Sequence, residues 1–126
     1  MQSHEPEKYI DFDHLNSFLG DDMNLILEVF QLFKNQIEIW QKQLVVEADD
    51  EIWAAAAHSL KGTANAVGAL KLADHCQKAE AYIGDNNRPG HRAQLLQEME
   101  FNIAQVMTEI QRWEYNYNRR KLKGLI

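Results

Sequence analysis

Apolar residues recur three and four positions apart along most of this chain, which is the period of a helix. Ile26, Val29, Phe30, Phe33, Ile37, Trp40 and Leu44 form one such row. They predict a helix that Asp21 or Asp22 caps and that lasts to about Val46. Ile52, Ala56, Leu60, Ala64 and Val67 predict a second long helix, opened by Asp49 or Asp50, whose carboxylate can satisfy free amides of the first turn. Leu72, Cys76, Ala79 and Ile83 lie on one side of a further helix within residues 69–83, and Leu95, Met99, Ile103, Val106, Ile110 and Trp113 keep the period for about five turns. No segment alternates convincingly with a period of two.

Punctuation supports the same division. "DFDHLNSFLGDD" reads as a short helix with Asp11 or Asp13 as N-cap and Gly20 as stop, and "GDNNRPG" gathers the residues of a loop. Gly68 breaks or tightens the chain between two helices. The expected fold is all-α: an antiparallel four-helix bundle with an additional short N-terminal helix, its short connections forcing neighbours to pack together. The 126 residues are expected to form one domain, with a core at about 11–118, a short polar leader and a basic C-terminal tail.

Composition narrows the function. The chain is 45% hydrophobic with a net charge of -6, which argues against a protein built to hold nucleic acid. "RRKLK" closes a predicted helix, where cations suit the macrodipole. A chain this short does not hold a kinase, a nucleotide-binding domain and a regulatory domain together, so ATP-dependent chemistry has to come from elsewhere. Cys76 is the single cysteine, which excludes an intrachain disulfide and a multi-thiolate zinc site. No apolar run approaches the roughly 20 residues of a membrane span, and "MQSHEPEKYIDFD" is not a signal peptide. The expectation is a cytoplasmic protein with no membrane association.

"AAAAHSLKGTANAVGAL", residues 54–70, then stands out, because a mid-helix glycine costs about 1 kcal/mol relative to alanine. At 100° per residue His58 lies about 200° from Ala56 and from Leu60, so it faces away from the core row. It shares its face with Glu51, Ala54, Ala55, Lys61, Gly62 and Asn65. Lys61 and Gly62 sit one turn on from it, where a lysine could pair with an anionic group on the imidazole and a glycine would leave that group space. Ordinary readings stand beside this one: a surface histidine, a solvated lysine and a packing glycine. His4, His14, His75 and His91 read as surface or core-edge residues. A metal site lacks support, since no two histidines fall four apart and no Glu-x-x-His pair occurs.

The stretch "AHSLKGTANAVGA" resembles the signature of histidine-containing phosphotransfer domains: His-x-x-Lys-Gly-small, then a second glycine six positions after the first. Here these are His58, Lys61, Gly62, Thr63 and Gly68. "FLGDDMNLILEVFQLF" is similar to the family's opening, and the likeness runs from about Phe12 to Ile110. The resemblance implies a helical bundle without autonomous kinase activity, in which His58 accepts a phosphoryl group from a receiver-domain aspartyl phosphate and passes it to a response regulator's aspartate. It implies that Lys61 steadies the phosphoryl oxygens, that Gly62 clears the approach, and that Glu80 on the next helix takes the Nδ1 proton. The implied partners are receiver domains of a hybrid histidine kinase and of response regulators. No cofactor is expected on this chain, with Mg²⁺ carried by the receiver. A monomer is expected. The docking surface is expected to include Ala54, Ala55 and Asn65 around the histidine, with Leu15, Phe18, Leu19 and Met23 on the first two helices. The alternative is a helical adaptor that binds a receiver or kinase without being phosphorylated.

Overall fold

The computed structural model describes residues 8–124. Five α-helices follow one another: α1 Phe12–Leu19, α2 Met23–Gln43, α3 Asp50–Ala66, α4 Leu70–Glu80 and α5 His91–Leu122, with a 3-10 turn at Gly84–Asn86. No strand occurs among the described residues. The long helices form a ring: α3 packs between α2 and α4, and α5 closes the bundle between the same two neighbours. The helices α3 and α5 therefore lie diagonally opposite. The short α1 seals one end, with Leu15 buried and Phe12 edge-on to Phe30.

Local chemistry explains the boundaries. Asp11 Oδ1 accepts from the His14 amide and Asp22 Oδ1 from the Leu25 amide, the first-turn bonds expected of N-caps. Gly20 ends α1 at φ 64° and donates its amide to the Asn16 carbonyl. Arg119, Arg120 and Lys121 occupy the last turn of α5, opposite the free carbonyls.

Four expectations need correcting, and three of them share a cause. α2 ends at Gln43, α4 ends at Glu80, and neither Asp49, at the N-cap position, nor Asp50 caps α3 with its side chain. The cause is Arg92, which is almost fully buried. Its guanidinium donates to the carbonyls of Val46, Ala48 and Tyr82 and to Asp50 Oδ1 at 2.7–3.1 Å, and it lies over the Trp53 ring. The other Asp50 oxygen accepts from the Gly84 amide. The carbonyls of the segments that leave α2 and α4 are thus satisfied by one cation, and Ile83, left beyond the helix, is exposed rather than packed in the α4 row. The fourth correction concerns the start of α3: Ala56, Leu60, Ala64 and Val67 are buried as the row predicts, but Trp53 and not Ile52 opens it. Trp53 is fully buried with Ala56, Ala57, Leu60 and Ala64, while Ile52 is about half exposed. The larger side chain takes the interior because its indole N–H finds a partner there, the Ala79 carbonyl at 2.6 Å.

Candidate functional site

Residues 67–69 turn α3 directly into α4. Gly68 makes the turn with φ +80°, and a Cβ there would sit 2.6 Å from the Asp11 carbonyl oxygen. Its own carbonyl accepts from the Asp11 amide at 2.8 Å. This glycine is required by backbone, both for its left-handed conformation and for close approach. The tight reversal lays α4 antiparallel along α3 and brings its last residue, Glu80, beside His58.

His58 has 74% of its side chain exposed, and its Nδ1 lies 3.1 Å from Glu80 Oε1. An ionised carboxylate only accepts, so the hydrogen bond requires the proton on Nδ1, which leaves the Nε2 lone pair directed at solvent. Lys61 Nζ approaches the same oxygen at 3.9 Å. One carboxylate oxygen therefore faces both the imidazole and the ammonium. Gly62 lies one turn from His58 with nothing within 4 Å of where a Cβ would be. A packing role for this glycine is removed, and the space beside the histidine is open. With the imidazole neutral, this arrangement would offer Nε2 as a nitrogen nucleophile, with a cation a turn away and open space beside it.

The other reactive groups are elsewhere. Cys76 is fully buried, and burial, reinforced by the charge of Glu80, pushes its thiol up to about 12 while Lys61 pulls the other way. His75 lies between Glu98 and the core, and burial lowers its pKa against the raising effect of Glu98. His14 is edge-on to Phe18, and His91 packs on Tyr82. His4 is outside the described residues. Among the described residues no group of three or more His, Cys, Asp or Glu side chains is placed to hold a metal ion, and no helix is long and apolar enough to cross a membrane.

The expected surface residues divide. Ala55 and Asn65 are exposed on the face of His58, and Ala54 is half-buried toward α4. Phe18 is 68% exposed, whereas Leu19 and Met23 are half-buried. Leu15 is fully buried and cannot belong to a docking surface, because α1 uses it to hold itself against the bundle. Three residues not foreseen belong to this side of the molecule. Thr63 donates to Gln36 Oε1 at 3.2 Å and fixes which flank of α2 adjoins α3. At 100° per residue Leu32 and Ile39 lie about 40° and 60° outward of Gln36 on that flank. Both are more than half exposed, as Ile52 across the seam nearly is. The signal was available in the sequence: Leu25, Leu32 and Ile39 stand seven apart, off the core row.

Comparison with curated proteins and with solved structures gives no match. The model of the Hpt domain family matches residues 25–113, from the first turn of α2 to Trp113 in α5, and includes His58, Lys61, Gly62, Gly68 and Glu80. That match covers well over half of the chain, so this protein belongs to the Hpt domain family, the helical domains of histidine phosphotransfer in two-component systems.

Proposed function

We propose that His58 is the phosphoacceptor of a phosphorelay, taking a phosphoryl group from the aspartyl phosphate of one receiver domain and delivering it to the aspartate of another. The observation that carries this reading is the His58–Glu80 contact, which leaves Nε2 as the free nitrogen beside the open space at Gly62. Nε2 attacks phosphorus in line, the P–O bond to the donor aspartate breaks, and that carboxylate leaves with the bonding pair. The Nδ1 proton stays in its hydrogen bond to Glu80, which offsets the charge that develops on the ring. Lys61 turns from Glu80 to the incoming phosphoryl oxygens as they gain charge. Mg²⁺ belongs to the receiver, and this chain contributes positioning and charge rather than a cofactor. Return transfer is the same step reversed.

The receiver docks, on this reading, over the exposed part of α3 and across the seam onto α2, covering Ala55, Asn65, Ile52, Leu32 and Ile39. Phe18 lies at its margin with Leu19 and Met23. Exposed apolar residues grouped around a reacting group mark such a surface.

The test is incubation with phosphorylated receiver domains and measurement of label on this chain. Native protein should carry an acid-labile, alkali-stable phosphoramidate, and His58→Gln should carry none while keeping its melting temperature. Undiminished labelling of His58→Gln sinks the assignment to His58, and absence of label on the native protein favours the adaptor reading. Ile39→Asp should slow transfer by raising KM without moving the His58 ring resonances; an unchanged KM would remove α2 from the docking surface.

A further inference from the structure

The outer face of α5 has no part in the chemistry above. Phe101, Thr108, Tyr115 and Leu122 follow one another at seven-residue steps, and all four are exposed. Such spacing draws one nearly straight row along a helix. The two carboxylates along this stretch are already engaged on its flanks, Glu109 by the Tyr9 and Ile10 amides and Glu114 by Lys34. Arg112 and Arg119 stand beside the row, Arg119 over the Tyr115 ring, and Lys123 follows at its end, while Lys121 lies on another side of the helix beside Met23, Asn24 and Tyr117. At the other end stand Glu98, one turn before Phe101 and 3.8 Å from His75, and Glu100, the residue just before Phe101, both exposed. The face is an apolar and aromatic row, acidic where it begins and basic where it finishes.

A row of this polarity is complementary to a second copy of itself running the other way. We infer that two copies of this chain associate through α5, antiparallel, about a two-fold axis at Thr108. In that register Phe101 of each copy lies against Tyr115 of the other, giving two aromatic pairs, one on each side of the axis. Glu98 comes beside Arg119 of the second copy on the same flank, twice over. Ala104 leaves room for Arg112 of the second copy, and the two Arg112 side chains are held about 12 Å apart along the axis. The row from Phe101 to Leu122 is about 32 Å long and a helix is about 10 Å across, so the contact covers on the order of 300 Å² per copy. That is well below the roughly 800 Å² per partner of a standard stable interface. The dimer is therefore weak, and the chain is a monomer when dilute. Because α5 is diagonal to α3, the pair carries its two His58 faces outward on opposite sides.

Sedimentation equilibrium of the full chain from about 10 μM to about 1 mM reads the association. The expected result is a monomer passing to dimer within that range, weakened by added salt. Tyr115→Glu and Glu98→Lys should each raise the dimer dissociation constant about tenfold or more. Adding Arg119→Glu to Glu98→Lys should restore it, which a loss of folding would not allow. A short bis-maleimide should link Thr108→Cys to itself across the axis and should not link Tyr115→Cys, whose two copies lie about 21 Å apart. The native thiol, Cys76, is buried and stays unreacted. A monomer throughout, no rescue by the charge swap, or linking of Tyr115→Cys but not of Thr108→Cys would each overturn the inference; the first would leave this basic row to a different, acidic partner.

Discussion

The two glycines of the "KGTANAVG" stretch should respond to alanine with opposite signs. At Gly68 the added Cβ meets the Asp11 carbonyl oxygen at 2.6 Å, and the φ of +80° is one that L side chains rarely adopt. Holding a non-glycine residue in the left-handed region costs about 1–2 kcal/mol. Relieving the clash means moving Asp11 and losing its amide bond to the Gly68 carbonyl, a further loss of about 1 kcal/mol. Gly68→Ala should thus destabilise by about 2–3 kcal/mol, or about 8–12 °C at about 4 °C per kcal/mol for a chain of this size. Gly62 lies in regular helix and meets nothing, so Gly62→Ala should stabilise by up to about 1 kcal/mol. Urea denaturation followed by circular dichroism measures both. Well below its melting temperature Gly68→Ala should still accept phosphate, because the turn is about 15 Å along α3 from His58. Gly62→Gln should be stable and poor at transfer. A Gly68→Ala variant within about 0.5 kcal/mol of the native protein would refute the close-approach argument, and rapid transfer by Gly62→Gln would refute the clearance argument.

Three further outcomes follow from other contacts. Nitrogen-resolved NMR of His58 should show the resting tautomer altered by Glu80→Ala and unchanged by Lys61→Ala, with Lys61→Ala instead slowing transfer and shortening the phosphohistidine lifetime; the opposite pattern would reverse the two roles. Arg92→Ala should cost about 2–4 kcal/mol in urea denaturation, since it leaves the carbonyls of Val46, Ala48 and Tyr82 without their donor while the half-exposed Asp50 can be rehydrated; a loss under about 1 kcal/mol would mean that water replaces the guanidinium. His75 has its folded pKa lowered by burial, so below its ordinary value of 6.5 the unfolded chain binds the extra proton first. Stability should therefore fall as pH drops below about 6.5, and His75→Gln should flatten that slope in urea titrations made at several pH values.

The helices were legible because each has a row of large apolar residues at one period, and their starts because Asp11 and Asp22 cap by bonds a few residues long. At the start of α3, Ile52 was read as core in place of Trp53 for a definite reason: with alanine at 54, 55, 56 and 57, the sequence offers no large residue nearby to choose between them. The choice depends on the Ala79 carbonyl, which belongs to another helix. Arg92 was invisible for the same kind of reason, since its four acceptors come from three segments. At the site, His58, Lys61 and Gly62 could be read from helical spacing alone. Glu80 entered only through family resemblance, because nothing local says which residue of α4 comes to rest against the imidazole.

The hydrogen bonds on either side of Glu80 have a consequence for how such a carrier handles information. Trp53 grips the carbonyl of Ala79 and Arg92 that of Tyr82, so the backbone bearing the carboxylate is clamped on both sides. On the proposed reading the imidazole is oriented before any phosphoryl group arrives, and Lys61 is the side chain that follows the charge. For a carrier of the kind proposed here, loading alters the electrostatics of a small patch and leaves the shape of the bundle as it was. A donor and an acceptor then meet the same surface, and the net direction of flow is set by which receiver holds its phosphate less tightly.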